Sequence, residues 1–151
     1  MHQLLVGGDE PRSIQADVGF TALRVAIGLM MAFGHGLAKV PPPAGFVEGV
    51  ANLGFPLPAV FAWAAGLSEL VGGVLIAAGL CTRPASLFLA VTMGVAAFAR
   101  HWADPLFSRS GPSKEMAILY LVAAVAFLLA GSGRYGLDAV LRRRSAGEGA
   151  R

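Results

Sequence analysis

The sequence predicts an all-α protein, a transmembrane four-helix bundle with both termini on one side of the membrane. Its apolar composition, its long apolar segments and a lone carboxylate inside one of them carry this prediction. Hydrophobic residues make up 56% of the 151 positions and charged residues only 14%, against about 25% charged in ordinary soluble domains. We therefore expect the chain to lie in a membrane, in contact with the lipid bilayer.

Four apolar segments have the length and composition of membrane helices. A helix that crosses about 30 Å of hydrocarbon needs roughly 20 residues. The predicted helices cover residues about 17–38, 59–80, 84–100 and 115–131. We expect residues 1–16 to form a polar lead, 17–138 the membrane domain and 139–151 a basic tail. The segment from Phe46 to Phe55 has two open interpretations, a short amphipathic segment at the membrane interface or a loop packed over the bundle.

Glu69 is the only Asp, Glu, Lys or Arg between Ala59 and Leu80. A carboxylate at this depth costs on the order of several kcal/mol unless it is protonated, paired or turned toward a polar interior. Small residues on the same face of the helix would let other helices approach closely. These are Ala62, Ala65, Gly66, Gly72 and Gly73. We therefore expect Glu69 to point into the bundle.

A polar stripe on the first helix could supply the partner of Glu69. Arg24, His35 and Lys39 lie at spacings that place them on one helix face. Counted by helical rise from one end, Arg24 lies ~10 Å in, Glu69 ~15 Å in, and His35 ~10 Å further out than Glu69. One interpretation is a structural Arg24–Glu69 ion pair, since charges inside membranes are usually paired. The other adds His35 as the next polar step toward the far face.

Further polar residues are expected in the outer part of the bundle. Arg100, His101 and Glu115 could join His35 in a pocket for a small anion or a quinone head group, with histidine and carboxylate exchanging protons. Arg100 and His101 have a second interpretation as residues of the membrane interface. Imidazole and carboxylate groups can bind metals, but no short ligand spacing is present, so we predict no metal site.

Charge and cysteine content exclude some functions and predict an orientation. Cys81 is the only cysteine, which excludes an intramolecular disulfide or a CxxC redox pair. The net charge of +3 does not predict nucleic-acid binding, because no basic stripe carries interleaved aromatic residues. Both termini are expected in the cytoplasm by the positive-inside rule. The arginines on that side are Arg12, Arg83, Arg134, Arg142, Arg143, Arg144 and Arg151, against Lys39, Arg100, Arg109 and Lys114 on the other.

Three motifs together resemble the DoxX family of small four-helix membrane proteins. They are Arg24-x3-Gly28 followed by His35-Gly36-x2-Lys39, then Leu67-Ser68-Glu69-x2-Gly72-Gly73-x5-Gly79-Leu80-x-Thr82-Arg83, and Gly131-x-Gly133-Arg134-Tyr135-Gly136-Leu137-Asp138. The resemblance implies a four-helix integral membrane protein. In some relatives it implies a subunit of a membrane oxidoreductase such as thiosulfate:quinone oxidoreductase, and in others a link to methylamine utilisation or redox homeostasis. On this sequence the family motif marks Arg24, His35, Lys39 and Glu69.

Our hypothesis is an integral subunit of a redox system in the cell inner membrane. A quinone is the candidate cofactor, and the activity is either the oxidation of a small sulfur compound or support of redox homeostasis. The candidate catalytic residues are Arg24, His35 and Glu69, and the candidate substrate-binding residues are Lys39, Arg100, His101 and Glu115. A partner oxidoreductase subunit and a homo-oligomer are candidate assemblies. The alternative is a non-catalytic membrane scaffold or small-solute transport component, in which a buried Arg24–Glu69 pair is structural.

Overall fold

The computed structural model describes residues 13–148, with no side-chain description for Gly147 and Glu148. These residues form α-helices and turns without a strand, which confirms the all-α prediction. The helices are α1 (Ile14–Met31), α2 (Ala44–Asn52), α3 (Pro58–Ala78), α4 (Thr82–Val95), α5 (Glu115–Ala130) and α6 (Leu137–Glu148). Most of the predicted polar lead, including Arg12, and the end of the predicted tail, including Arg151, lie outside the described residues.

Two of the long helices continue beyond their α-helical part. α1 runs on through a π-helical turn, Ala32–Gly36, and a 3₁₀ turn, Leu37–Lys39. α4 runs on through a second π-helical turn, Ala96–Arg100. Such π-helical turns are rare and occur often at functional sites. The first of them carries His35 and the second ends at Arg100.

Three helical segments are long and apolar enough to cross a membrane. They are Ile14–Lys39, Pro58–Ala78 and Thr82–Arg100, with 26, 21 and 19 residues. α5 is apolar but has only 16 residues, which corresponds to a length of about 24 Å. A helical membrane bundle agrees with these lengths, whereas a fourth complete crossing by α5 stays a prediction.

Local chemistry explains where the helices begin and end. Ser13 caps α1, because its hydroxyl oxygen accepts a hydrogen bond from the Ala16 N–H at 3.2 Å, so the helix starts before the predicted position 17. Gly79 ends α3 in the left-handed conformation, at φ +69°, as glycine commonly does after a helix. α6 begins at Leu137 and so crosses position 138, where the sequence placed the end of the membrane domain.

The segment between the first two predicted crossings contains the helix α2. Pro43 precedes it, and proline favours an extended conformation before a helix start. Val50 is buried, and α2 packs against α3. The segment therefore packs on the bundle, as the second interpretation expects, but as a helix and not as a loop. Its position at the membrane interface stays a prediction.

Glycines allow α1 and α3 to pack antiparallel with their backbones in contact. A Cβ atom on Gly28 would lie 2.6 Å from the Gly73 carbonyl oxygen and 2.6 Å from the Ala77 nitrogen. A Cβ on Gly73 would lie 2.7 Å from the Gly28 carbonyl oxygen, and one on Gly66 would lie 2.7 Å from the Lys39 carbonyl oxygen. These distances leave no room for any side chain, so the predicted close approach at Gly66 and Gly73 is confirmed.

The remaining helices complete the bundle around an apolar core. α3 packs against both α1 and α4, α4 packs against α5, and α5 touches α1. The core between them consists of Met31, Ile76, Ala85, Leu89, Ala90, Met93, Tyr120, Ala124 and Phe127. The first residues of α1 and α6 lie at one end of the bundle, which we call the α6 end. The opposite end, where α2 lies, is the α2 end.

Candidate functional site

Arg24 lies at the α6 end and is 1% exposed. Its Nη1 atom donates hydrogen bonds to the carbonyl oxygens of Ile76 at 2.5 Å and Ala77 at 2.6 Å. These carbonyls belong to the last turn of α3, where backbone oxygens lack partners within the helix and carry partial negative charge. The helix end therefore holds the buried guanidinium, and no carboxylate of residues 13–146 lies within salt-bridge distance of it.

The predicted Arg24–Glu69 ion pair is wrong. Glu69 is 2% exposed, and both of its carboxylate oxygens accept hydrogen bonds from Lys39 Nζ at 2.7 Å. The reason lies in the register of α1 against α3. Gly28 packs against Gly73 and Ala77, so Arg24 reaches only the end of α3, about two turns away from Glu69.

The Lys39–Glu69 pair lies where the segment after α1 ends against the middle of α3, and it is open on one side. The side chain of Lys39 remains 30% exposed while that of Glu69 is almost fully buried. The 3₁₀ turn that ends at Lys39 comes close to α3 because Gly66 has no side chain. Phe46 of α2 places its ring 5.4 Å from Lys39 Nζ, within the range of a cation–π contact. The pair is therefore a buried carboxylate whose ammonium partner stays partly exposed.

His35 lies at the level of Glu69 and not further out, so the predicted order of depths is wrong. A Cβ on the neighbouring Gly36 would lie 2.7 Å from the Glu69 carbonyl carbon, which places the two helices level at this point. The first residues of α1 extend past the end of α3, so counting from helix ends misplaces His35. Its half-buried ring contacts Tyr120 of α5 edge to face, with centroids 5.2 Å apart.

The structure does not bring the other predicted site residues together with this pair. Arg100 and Glu115 are exposed. His101 Nδ1 lies 2.6 Å from Asp104 Oδ2 in a partly exposed pair on the loop after α4. No hydrogen bond or ion pair of the described residues joins Arg100, His101 or Glu115 to Glu69. Their substrate-binding role stays a prediction, and so does the interfacial interpretation of Arg100 and His101.

Two residues of this region were missed by the sequence reasoning. Tyr120 is 3% exposed and contacts His35, and its only sequence signal was a hydroxyl group within an otherwise apolar helix. Phe46 covers Lys39 from α2, and its position depended on the fold of a segment whose conformation the sequence left open. No group of three or more His, Cys, Asp or Glu within residues 13–148 is arranged to hold a metal ion.

Asp138 organises the polar contacts at the α6 end. Its carboxylate oxygens accept hydrogen bonds from the Cys81 N–H at 2.8 Å and the Thr82 N–H at 3.0 Å, which caps α4. Its own N–H donates to the Gly79 carbonyl oxygen at 2.8 Å. Cys81 has a φ of +47°, a strained value for a residue other than glycine. Asp138 therefore holds the tight turn between α3 and α4 closed.

Replacing Asp138 with alanine is expected to lower the free energy of unfolding by about 1–2 kcal/mol, because the α4 cap is lost. Asp138→Asn retains one acceptor oxygen and should fall between alanine and the wild type. Thermal unfolding of the purified protein in detergent measures both variants. An alanine variant as stable as the wild type would mean that this cap contributes nothing to stability.

The fold defines the class of this protein, a small helical protein embedded in a membrane. Its buried ion pair joins the turn after α1 to α3. The chain belongs to the DoxX family, whose sequence profile matches residues 19–102. This match contains both Lys39 and Glu69. The resemblance noted from the sequence motifs is thereby confirmed.

Curated relatives are similar over most of the chain. An uncharacterized protein of Haemophilus influenzae is 34% identical over 119 residues, which cover 77% of this chain and 85% of the relative. The putative oxidoreductase CatD of Bacillus subtilis is 30% identical over 122 residues, covering 81% and 86%. The inner membrane protein YphA of Escherichia coli is 34% identical over 119 residues, covering 76% and 84%. No solved structure matches the chain significantly.

Proposed function

We propose that this protein is the membrane-embedded component of a redox system and that a quinol head group binds beside the Lys39–Glu69 pair. The observation that carries the proposal is a buried carboxylate in the middle of α3 whose ammonium partner stays partly exposed. Burying an ionisable side chain inside a membrane protein costs free energy, so such a residue is a candidate functional residue. The name of the Bacillus subtilis relative, a putative oxidoreductase, supports the same class of activity.

The side chains at this level suit the chemistry of a quinol. A quinol gives up its hydroxyl protons when its electrons pass to an acceptor, which we place in a partner protein. The Glu69 carboxylate and the His35 imidazole can accept protons, and the Lys39 ammonium can donate a hydrogen bond to the quinone oxygen. In this proposal Arg24 is not catalytic, because its guanidinium is bound to the end of α3.

Charge favours placing the α6 end in the cytoplasm. Besides the buried Arg24, the arginines of the described residues at or near that end are Arg83, Arg134, Arg142, Arg143 and Arg144. On the α2 side the positive charge of Lys39 is balanced by Glu69. The positive charges that count toward the comparison there are Arg100, Arg109 and Lys114. By the positive-inside rule, the Lys39–Glu69 pair then opens toward the outer face of the membrane.

Glu69→Gln is expected to abolish quinol-dependent activity in membranes and to weaken binding of a quinol analogue at least tenfold. The matched control is Glu48→Gln, because Glu48 is an exposed carboxylate on α2. Binding is measured with the purified protein in detergent, and activity in membranes that contain all partner proteins. Failure of the wild type to bind quinol analogues, or full activity of Glu69→Gln, would contradict the proposal.

A second candidate function is a non-catalytic membrane scaffold. It is favoured by the complete pairing of Glu69, both of whose oxygens bind Lys39, next to the glycine contacts between α1 and α3. Under this alternative, Glu69→Gln keeps full function in membranes but lowers the unfolding temperature. Measuring activity and stability on the same variant separates the two candidates.

A further inference from the structure

α6 carries an exposed surface that combines aliphatic and basic side chains. Leu137, Val140 and Leu141 are 46%, 40% and 52% exposed. Arg143 and Arg144 are exposed one turn further along the helix, Arg143 three residues after Val140 and Arg144 three residues after Leu141. At about 100° per residue, Leu137, Leu141 and Arg144 share one helix face, with Val140 adjacent. We call these five residues the α6 surface.

The first turn of α6 is fixed to the bundle, and the α6 surface extends from it. Asp138 is bonded to the turn between α3 and α4, and Ala139 is 2% exposed. Nearby, Arg134 Nη1 lies 3.6 Å from Asp17 Oδ2, and Tyr135 is 49% exposed, as is common for aromatic residues at a membrane interface. The α6 surface therefore has a defined position at the end of the membrane-spanning helices.

We propose that the α6 surface binds anionic phospholipids of the adjacent leaflet. The guanidinium groups of Arg143 and Arg144 contact the lipid phosphates, and Leu137, Val140 and Leu141 lie against the start of the acyl chains. The two acidic side chains described nearby are engaged, Asp17 by Arg134 and Asp138 by the α4 N-terminus, so the α6 surface is net positive. Charge complementarity together with adjacent aliphatic groups fits a lipid better than a soluble acidic partner.

The test compares two double variants with equal net charge. The α6 variant lacks two arginines of the α6 surface, through Arg143→Gln and Arg144→Gln. The control variant lacks two exposed arginines at the opposite end, through Arg100→Gln and Arg109→Gln. Phosphatidylglycerol and phosphatidylcholine are each titrated onto the purified full chain in detergent, and bound lipid is counted by native mass spectrometry. Unchanged thermal unfolding in detergent alone checks that each variant is folded.

The wild type should bind phosphatidylglycerol more tightly than phosphatidylcholine, and added salt should weaken this preference. The α6 variant should bind phosphatidylglycerol about 30-fold more weakly, since each basic residue contributes about 1 kcal/mol at an anionic surface. The control variant should bind as the wild type does. Equal binding of both lipids, an unaffected α6 variant or an equal loss in the control would overturn the proposal. Soluble polyphosphate is titrated in the same way. If the α6 variant loses binding of polyphosphate but still binds phosphatidylglycerol, the α6 surface binds an acidic soluble partner and the lipid proposal is overturned.

Discussion

Gly28→Ala is expected to lower the free energy of unfolding by about 3 kcal/mol or more. The added Cβ would lie 2.6 Å from the Gly73 carbonyl oxygen and 2.6 Å from the Ala77 nitrogen. These are backbone atoms of α3, so no side-chain rotation can relieve the contact and the two helices must separate. Overpacking of a well-packed core typically costs about 1–3 kcal/mol, and here the loss extends along a whole helix contact.

The matched control for Gly28→Ala is Gly19→Ala in the same helix. Gly19 has no atom within 4 Å of an added Cβ, so alanine should stabilise α1 by roughly 0.5–1 kcal/mol through its higher helix propensity. Thermal unfolding of both variants in the same detergent gives the comparison. If the two substitutions shift the unfolding temperature equally, the close packing of α1 on α3 does not occur in the protein.

Lys39→Met is expected to lower the free energy of unfolding by about 3–5 kcal/mol, because it leaves the Glu69 carboxylate buried without its partner. Methionine keeps most of the length of the lysine side chain, so the loss reports on charge more than on packing. Adding Glu69→Leu to Lys39→Met should recover most of this loss, since no charge then remains buried. Thermal unfolding of both single variants and the double variant gives the coupling energy between the two positions.

Lys114→Met serves as the control for Lys39→Met. The Nζ of Lys114 lies 5.6 Å from the centroid of the Trp102 ring, and loss of this cation–π contact should cost about 0.5–1 kcal/mol. A double-mutant cycle with Arg24→Met and Glu69→Leu tests the Arg24–Glu69 ion pair that was expected from the sequence. Strong coupling of Glu69 to Arg24, with none to Lys39, would contradict the geometry described above.

Glu69 illustrates how far the sequence reasoning reached. Its inward orientation followed from the cost of a carboxylate in hydrocarbon and from the small residues on its face, and the structure agrees at 2% exposure. The sequence did not identify the basic residue that pairs with Glu69. Arg24 and Lys39 both lie on the stripe of the first helix, and only the register of α1 against α3 distinguishes them. A single-helix pattern contains no information on that register.

Asp138 illustrates a second limit. It was recognised as the last residue of a family motif, without a role. Its function as the cap of α4 depends on Cys81 and Thr82, which are more than fifty positions away along the chain. No local capping pattern could indicate a side chain that arrives from another part of the fold.

By itself, the sequence determined that this is a helical membrane protein with small residues where its helices touch and an acid inside. These properties follow from hydrophobic length, periodicity and the cost of burying charge, which depend on residue type alone. The tertiary structure decided which base binds Glu69, where His35 lies and what holds Arg24. The glycine contacts let α1 and α3 meet backbone to backbone in one register, and that register selects Lys39 for Glu69 and leaves Arg24 to the end of α3.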